Sequence, residues 1–86
     1  MPLAYSFHAI SYEYRSFNHI LCTEDAMSFP AYGVEVYRHD ASGCTMIDSI
    51  PGITTRHEKI ERLLDLLNRA QVSPIHFRDT VEDFLS

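Results

Sequence analysis

The stretch "AYGVEVYRHDASGCTMIDSI", residues 31–50, decides the fold because apolar and polar side chains alternate on both sides of a turn sequence. Residues 31–39 place Tyr32, Val34 and Val36 on one side, with the two-residue period of a strand. The segment "DASG" (40–43) favours a turn, in which an Asp carboxylate binds backbone N–H groups ahead of it and a glycine takes a positive φ. The stretch therefore predicts a β-hairpin that is completed by residues 44–50.

The residues before this hairpin predict further strands. Residues 3–15, "LAYSFHAISYEYR", alternate and are rich in aromatic side chains, which is typical of a strand. We interpret residues 16–18 as a turn, residues 19–23 as a returning strand and residues 24–30 as a loop. Residues 3–50 are thus expected to form a three- to four-stranded, mainly antiparallel sheet.

After Pro51-Gly52 the period becomes helical, and residues 54–71 are the clearer of two predicted helices. Thr55 and Glu58 match the capping box S/T-x-x-E. Four apolar residues recur at i, i+3, i+4 and i+7, which indicates one buried stripe: Ile60, Leu63, Leu64 and Leu67. Two i,i+4 pairs are expected to stabilise the helix surface: Glu58 with Arg62 and Asp65 with Arg69.

The terminal stretch "VSPIHFRDTVEDFLS", residues 72–86, predicts the second helix. Ser73 suits the N-cap and Pro74 the first helical position, where a missing N–H costs nothing. The apolar stripe that should anchor this helix is Phe77, Val81, Phe84 and Leu85. We therefore expect a single domain, 1–86, of the α+β class, in which helices over about 55–71 and 74–85 cover one face of the sheet.

Charge and composition restrict the possible partners. The net charge is −5, and residues 1–50 hold only two basic residues against six acidic ones. Because nucleic acids and anionic membranes are bound through clustered Lys and Arg, neither is an expected partner. No signal peptide and no run of 18 apolar residues is visible, so a cytoplasmic protein is expected. Cys22 and Cys44 are expected to be reduced thiols buried in the core.

A weak candidate for a metal or small-ligand site lies on the polar side of the terminal helix. His76, Asp79 and Asp83 align with Thr80 on one stripe, and imidazole with carboxylates can hold a divalent cation. The alternative is a solvated helix face. The five His and two Cys match no zinc spacing, although Cys22 or Cys44 with a histidine is a conceivable nucleophile. No glycine-rich phosphate loop is present, so we predict no cofactor, no catalytic residue and no enzyme activity.

Two further features point to interaction with a protein. Glu82 and Asp83 end a helix whose C-terminus favours cations, which suggests a basic partner, an intramolecular contact to Arg15, Arg38 or Arg69, or tolerance at a fraying end. The five tyrosines in the predicted strands cannot all share one covered face. We therefore predict an interaction or homodimer surface on a Tyr-bearing, acidic sheet face, with Tyr12, Tyr14 and Tyr37 as its residues. The alternative is that these rings lie on the sheet with wet hydroxyls.

The order of "YGVEV" (32–36), a turn, "MIDSI" (46–50), an amphipathic helix and "VSPIHFRDTVEDFL" (72–85) resembles a small acidic bacterial family of unknown function. Its members end in a segment similar to S-P-I-H-L-x-D-V-V-E-D-F-L, and the resemblance covers residues 31–86. Here Phe77 replaces the Leu and Thr80 replaces a Val, and both keep the helical pattern. The resemblance implies a stand-alone bacterial domain and no particular activity.

Overall fold

The computed structural model describes residues 10–86 and has the expected α+β class. An antiparallel sheet of order β1-β2-β3 is followed by two helices. The elements are β1 (Ser11–Cys22), β2 (Ser28–Asp40), β3 (Gly43–Thr54), α1 (His57–Arg69), a 3-10 turn (Pro74–His76) and α2 (Phe77–Leu85). The lower of the two expected strand numbers is found in the described residues, and the predicted strand portion 3–9 lies outside them.

The first strand continues beyond its predicted end at residue 15, because the proposed turn at residues 16–18 is wrong. Phe17 pairs with Gly33 and Asn18 with Tyr32 in an uninterrupted ladder. A β-carbon on Gly33 would lie 2.7 Å from Phe17 Cζ, so the ring lies directly over the glycine. The chain instead reverses between Cys22 and Ser28, where Ala26 has φ 62. Cross-strand packing has therefore overridden the turn preference of Ser and Asn.

The "DASG" turn is confirmed. Asp40 pairs with Gly43, which has φ 128, and Asp40 Oδ1 accepts hydrogen bonds from the backbone N and Oγ of Ser42 at 2.9 and 2.7 Å. These bonds from Ser42 hold the pKa of Asp40 below its usual value. The hairpin then continues further than expected, because β3 passes through Pro51-Gly52 and ends only at Thr54. Register shifts accompany this extension near residue 47 and across residues 51–53.

Because β3 holds Thr54, the first helix begins later than the capping box predicted. Arg56 is the N-cap residue, and its backbone N donates to Thr54 Oγ1 at 3.1 Å. The predicted Glu58–Arg62 pair is replaced by a contact of 3.3 Å between Glu58 and Arg56, whereas the Asp65–Arg69 pair is formed.

The helix α1 ends in a Schellman turn, although its left-handed position is not a glycine. Val72 N donates to Leu67 O at 3.1 Å, and Gln71, with φ 50, donates to Asn68 O at 3.2 Å. Ser73 and Pro74 take the N-cap and first positions of a short 3-10 turn, without a side-chain capping bond from Ser73. The α-helix predicted from residue 74 begins only at Phe77. The Schellman turn thus returns the chain towards the sheet within a few residues.

The buried core contains residues of the sheet and of both helices. Tyr14 lies opposite Val36, and Val34 lies opposite Ile50, so these side chains share a face that we call the core-facing side. The buried cluster confirms most of the predicted stripes and consists of Tyr14, Val34, Val36, Ile60, Leu63, Leu67, Phe77 and Val81. Each such side chain contributes about 1.5–3 kcal/mol when it leaves water. Leu85, predicted as an anchor, is exposed.

Candidate interaction surface

Odd-numbered residues of β1 and β2 point away from the core-facing side, and we call their side of the sheet the opposite face. Four of them form one polar network. Arg15 Nη2 donates to Glu13 Oε1 at 2.8 Å, and its guanidinium lies 4.3 Å from the centre of the Tyr37 ring. The Tyr37 hydroxyl donates to Glu35 Oε1 at 2.9 Å. These contacts link the four side chains into one continuous chain of interactions.

The contacts within the network also shift the pKa values of its side chains. The hydrogen bond from Arg15, followed by that from His39, lowers the pKa of Glu13 from 4.5 to about 2. The bond to Glu13 raises the pKa of Arg15, and the bond to Glu35 raises the pKa of Tyr37. At neutral pH the face therefore shows a constant pattern of carboxylate, guanidinium and neutral phenol.

One end of the network reaches a cysteine. His39 and Cys44 are cross-strand partners on the opposite face. His39 Nε2 lies 2.8 Å from Glu13 Oε1 and 3.8 Å from Cys44 Sγ. A nucleophile–base–acid triad needs the two partners of the imidazole on its two different nitrogens, whereas here one nitrogen faces both. The arrangement therefore lacks the geometry for proton relay. From the sequence, Cys22 or Cys44 with an unspecified histidine was a conceivable nucleophile, and the structure places Cys44 beside His39. Both cysteines are exposed, so their predicted burial is wrong.

The three predicted interaction tyrosines are separated by the fold. Tyr14 is buried, which removes it from any surface. Its hydroxyl donates to Val72 O at 2.5 Å, its ring lies 5.2 Å from that of Phe77, and burial raises its pKa to about 12. Tyr12 is exposed but lies on the same side of β1 as Tyr14. Only Tyr37, half-buried in the polar network, occupies the opposite face.

The outer edge of β1 carries a contact that the sequence does not show. The side-chain amide of Asn68, on α1, pairs with the main chain of Tyr14 as a strand would. Tyr14 N donates to Asn68 Oδ1 at 2.9 Å, and Asn68 Nδ2 donates to Tyr14 O at 3.0 Å. No spacing rule links residues 54 positions apart, so only the fold reveals this bond pair.

The polar residues of the terminal helix are exposed and do not form a common site. His76, Asp79, Glu82 and Asp83 all face solvent. Among residues 10–86 no group of three His, Cys, Asp or Glu side chains is placed to hold a metal ion. One of the three alternatives for Glu82 and Asp83 was an intramolecular contact to an arginine. Within residues 10–86 that contact is not formed, because the three arginines pair as Arg15–Glu13, Arg38–Asp40 and Arg69–Asp65.

A small cleft separates the end of β3 from α2. Its volume is about 220 Å³, and its walls are Ile50, Pro51, Gly52, Ile53, Arg78, Val81, Glu82 and Leu85. Arg78 is held at the rim by Asp48, 2.8 Å away. Sequence reasoning did not find this cleft. The only signal was the presence of Arg78 and Glu82 one helical turn apart.

Together these features define a class of protein: a small α+β domain in which an antiparallel three-stranded sheet precedes two helices. Over residues 4–86 the chain matches a family described as "Family of unknown function (DUF6514)", and it belongs to that family. The match includes most of the N-terminal region that the resemblance did not cover. No curated protein and no solved structure matches the chain. Within residues 10–86 no helix has the length and hydropathy needed to cross a membrane.

Proposed function

We propose that this protein is a non-enzymatic interaction module that binds another protein, or a second copy of itself, through the opposite face of its sheet. The observation that carries this proposal is the polar network of Glu13, Arg15, Glu35 and Tyr37 on a face that the core cluster does not use. The acidic composition favours a protein with a basic or mixed surface over nucleic acid, in the cytoplasm.

The proposal includes packing of both helices against one side of the sheet. The core cluster supports this, because its strand residues are Tyr14, Val34 and Val36, which all lie on the core-facing side. Because the apolar stripes of α1 and α2 are used there, the opposite face remains available to a partner.

The chemistry of the opposite face suits protein recognition. Met46, the cross-strand partner of Tyr37, is 50% exposed and places a flexible apolar side chain beside the polar network. An apolar centre with a charged rim is the usual anatomy of an interface. Because Arg15 and Tyr37 already hold each other in place, less side-chain freedom is lost on binding, which favours affinity.

A second candidate function is binding of a small ligand at the cleft beside α2. Apolar walls with Arg78 and Glu82 at the rim support it. However, ligand pockets typically measure about 300–1,000 Å³, and this cleft is smaller. We therefore rank it below the interaction module.

Affinity capture with matched variants tests the proposal. The immobilised chain is compared with Met46→Lys, which adds a charge to the opposite face, and with Leu66→Lys, which adds the same charge at an exposed position of α1. We expect the same partner, identified by mass spectrometry, to be captured by the wild type and by Leu66→Lys but lost by Met46→Lys. Loss in Leu66→Lys alone, or identical capture by all three proteins, would contradict the proposal.

A further inference from the structure

We infer that the outer edge of β1, over residues 16–22, pairs with the same edge of a second copy of this chain and joins two sheets into one of six strands. This inference concerns an edge of the sheet and does not depend on the opposite face. It begins from the direction of the backbone groups along β1.

The Asn68 contact shows which residues direct their main chain outward. Since Tyr14 N–H and C=O bind Asn68, they point away from β2. In an antiparallel ladder this orientation repeats at every second residue, and the β1–β2 register is unbroken. The outward-pointing residues beyond Tyr14 are therefore Ser16, Asn18, Ile20 and Cys22. Within residues 10–86 no strand pairs with this edge, because β2 is the only neighbour of β1.

This edge has none of the usual protection against pairing. Between Ser16 and Cys22 the sequence is "SFNHILC", with no charge, proline or glycine. Ile20 is 61% exposed there. Natural sheets protect their edges with charges, prolines and bulges. The other outer strand, β3, follows this rule with Pro51 and two register shifts, so the absence of protection on β1 is specific to that strand.

Asn68 also selects the register of the pair. Because it occupies Tyr14, the added strand can use only the rungs from Ser16 onward. An antiparallel pair with its two-fold axis at His19 uses all four remaining residues: Ser16 faces Cys22, and Asn18 faces Ile20. This gives about eight inter-chain hydrogen bonds. In that register His19 faces its own copy at the axis and Arg15 faces Thr23, so no two formally charged side chains of like sign are paired over residues 15–23. The contact is isologous, and association therefore closes at the dimer.

A single strand pair buries less than the roughly 800 Å² per partner of a tight interface, so a weak dimer is expected. Sedimentation velocity of the full chain, in reductant and over about 10 to 500 µM, measures it. The wild type should shift from monomer to dimer across this range. Ile20→Lys, which places a charge on the edge, should remain a monomer, and Asn18→Pro, which removes an outward N–H, should do the same.

Leu66→Lys is the matched control, because it adds the same charge at an exposed position of α1 and should dimerise like the wild type. Circular dichroism confirms that each variant is folded. A wild-type monomer at the highest concentration would overturn the inference, as would species larger than a dimer. Loss of the dimer in Met46→Lys but not in Ile20→Lys would also overturn it, and would assign self-association to the opposite face instead.

Discussion

The Asn68 side chain provides the sharpest test of how the helices are fixed to the sheet. Asn68→Ala removes both hydrogen bonds to the Tyr14 main chain, each worth about 0.5–1.5 kcal/mol, so about 1–3 kcal/mol is lost. Alanine regains about 0.6 kcal/mol through its higher helix propensity. We therefore expect a net loss of about 1–2 kcal/mol in the free energy of unfolding.

Urea denaturation measures this loss, with Arg62→Ala as the control. Arg62 is exposed on the same helix, so its replacement changes only helix propensity and should shift stability by less than about 0.5 kcal/mol. With a slope of about 1–2 kcal/mol/M, the midpoint of Asn68→Ala should fall by about 1 M. Hydrogen exchange of the Tyr14 amide gives an independent reading, because its protection depends on Asn68. If Asn68→Ala is as stable as Arg62→Ala, and the Tyr14 amide remains protected, the two hydrogen bonds between Asn68 and Tyr14 do not stabilise the fold.

Three further predictions concern other contacts. Tyr14→Phe keeps the ring contact with Phe77 but loses the hydrogen bond to Val72 O. Urea denaturation should therefore show a free energy of unfolding that is lower by about 1 kcal/mol. An unchanged free energy would show that this hydrogen bond is not made in solution. The pKa of Glu13 is lowered on folding, so its contribution is present above pH 4.5 and disappears as the pH falls through about 2. Glu13→Gln should therefore be less stable than the wild type at pH 6, and this difference in thermal unfolding should vanish near pH 2, whereas a constant difference would exclude the ionised network as its cause. Gly33→Ala would place a β-carbon 2.5 Å from Ile50 O and should lower the free energy of unfolding by more than about 3 kcal/mol. Gly43→Ala has open space around it and should lower that free energy by only about 1 kcal/mol, through backbone strain. Equal losses in the two variants would contradict the close approach at Gly33.

Local patterns predicted what local physics controls. The alternation around Val34 and Val36, the turn at Asp40 to Gly43 and the stripe of Ile60, Leu63 and Leu67 are confirmed, because each depends on neighbours within a few residues. The turn at residues 16–18 and the capping box at Thr55 were wrong for the opposite reason. Pairing with β2 kept the first in a strand, and the extension of β3 displaced the second.

The candidate sites were harder to predict because they depend on contacts between distant parts of the chain. The sequence indicated that tyrosines would lie on both sides of the sheet. Within residues 10–86, however, the register places Tyr12, Tyr14 and Tyr32 on the core-facing side and Tyr37 alone on the opposite face. The pairing of His39 with Glu13, and that of Asn68 with Tyr14, join residues 26 and 54 positions apart. No periodicity links such residues, so neither the polar network nor the pairing of Asn68 with Tyr14 could be predicted from the sequence.

The most direct test of the opposite face as a binding surface is site-specific photo-crosslinking in extracts of the source cells. A benzophenone is attached to Cys44, which is exposed on that face, in a Cys22→Ser background. The control carries the same group on α1, as Leu66→Cys with both native cysteines replaced by serine. We expect a discrete cross-linked product from position 44 and none from position 66, and mass spectrometry shows whether the product is a second copy or another protein. A product from position 66 alone, or from neither position, would contradict it.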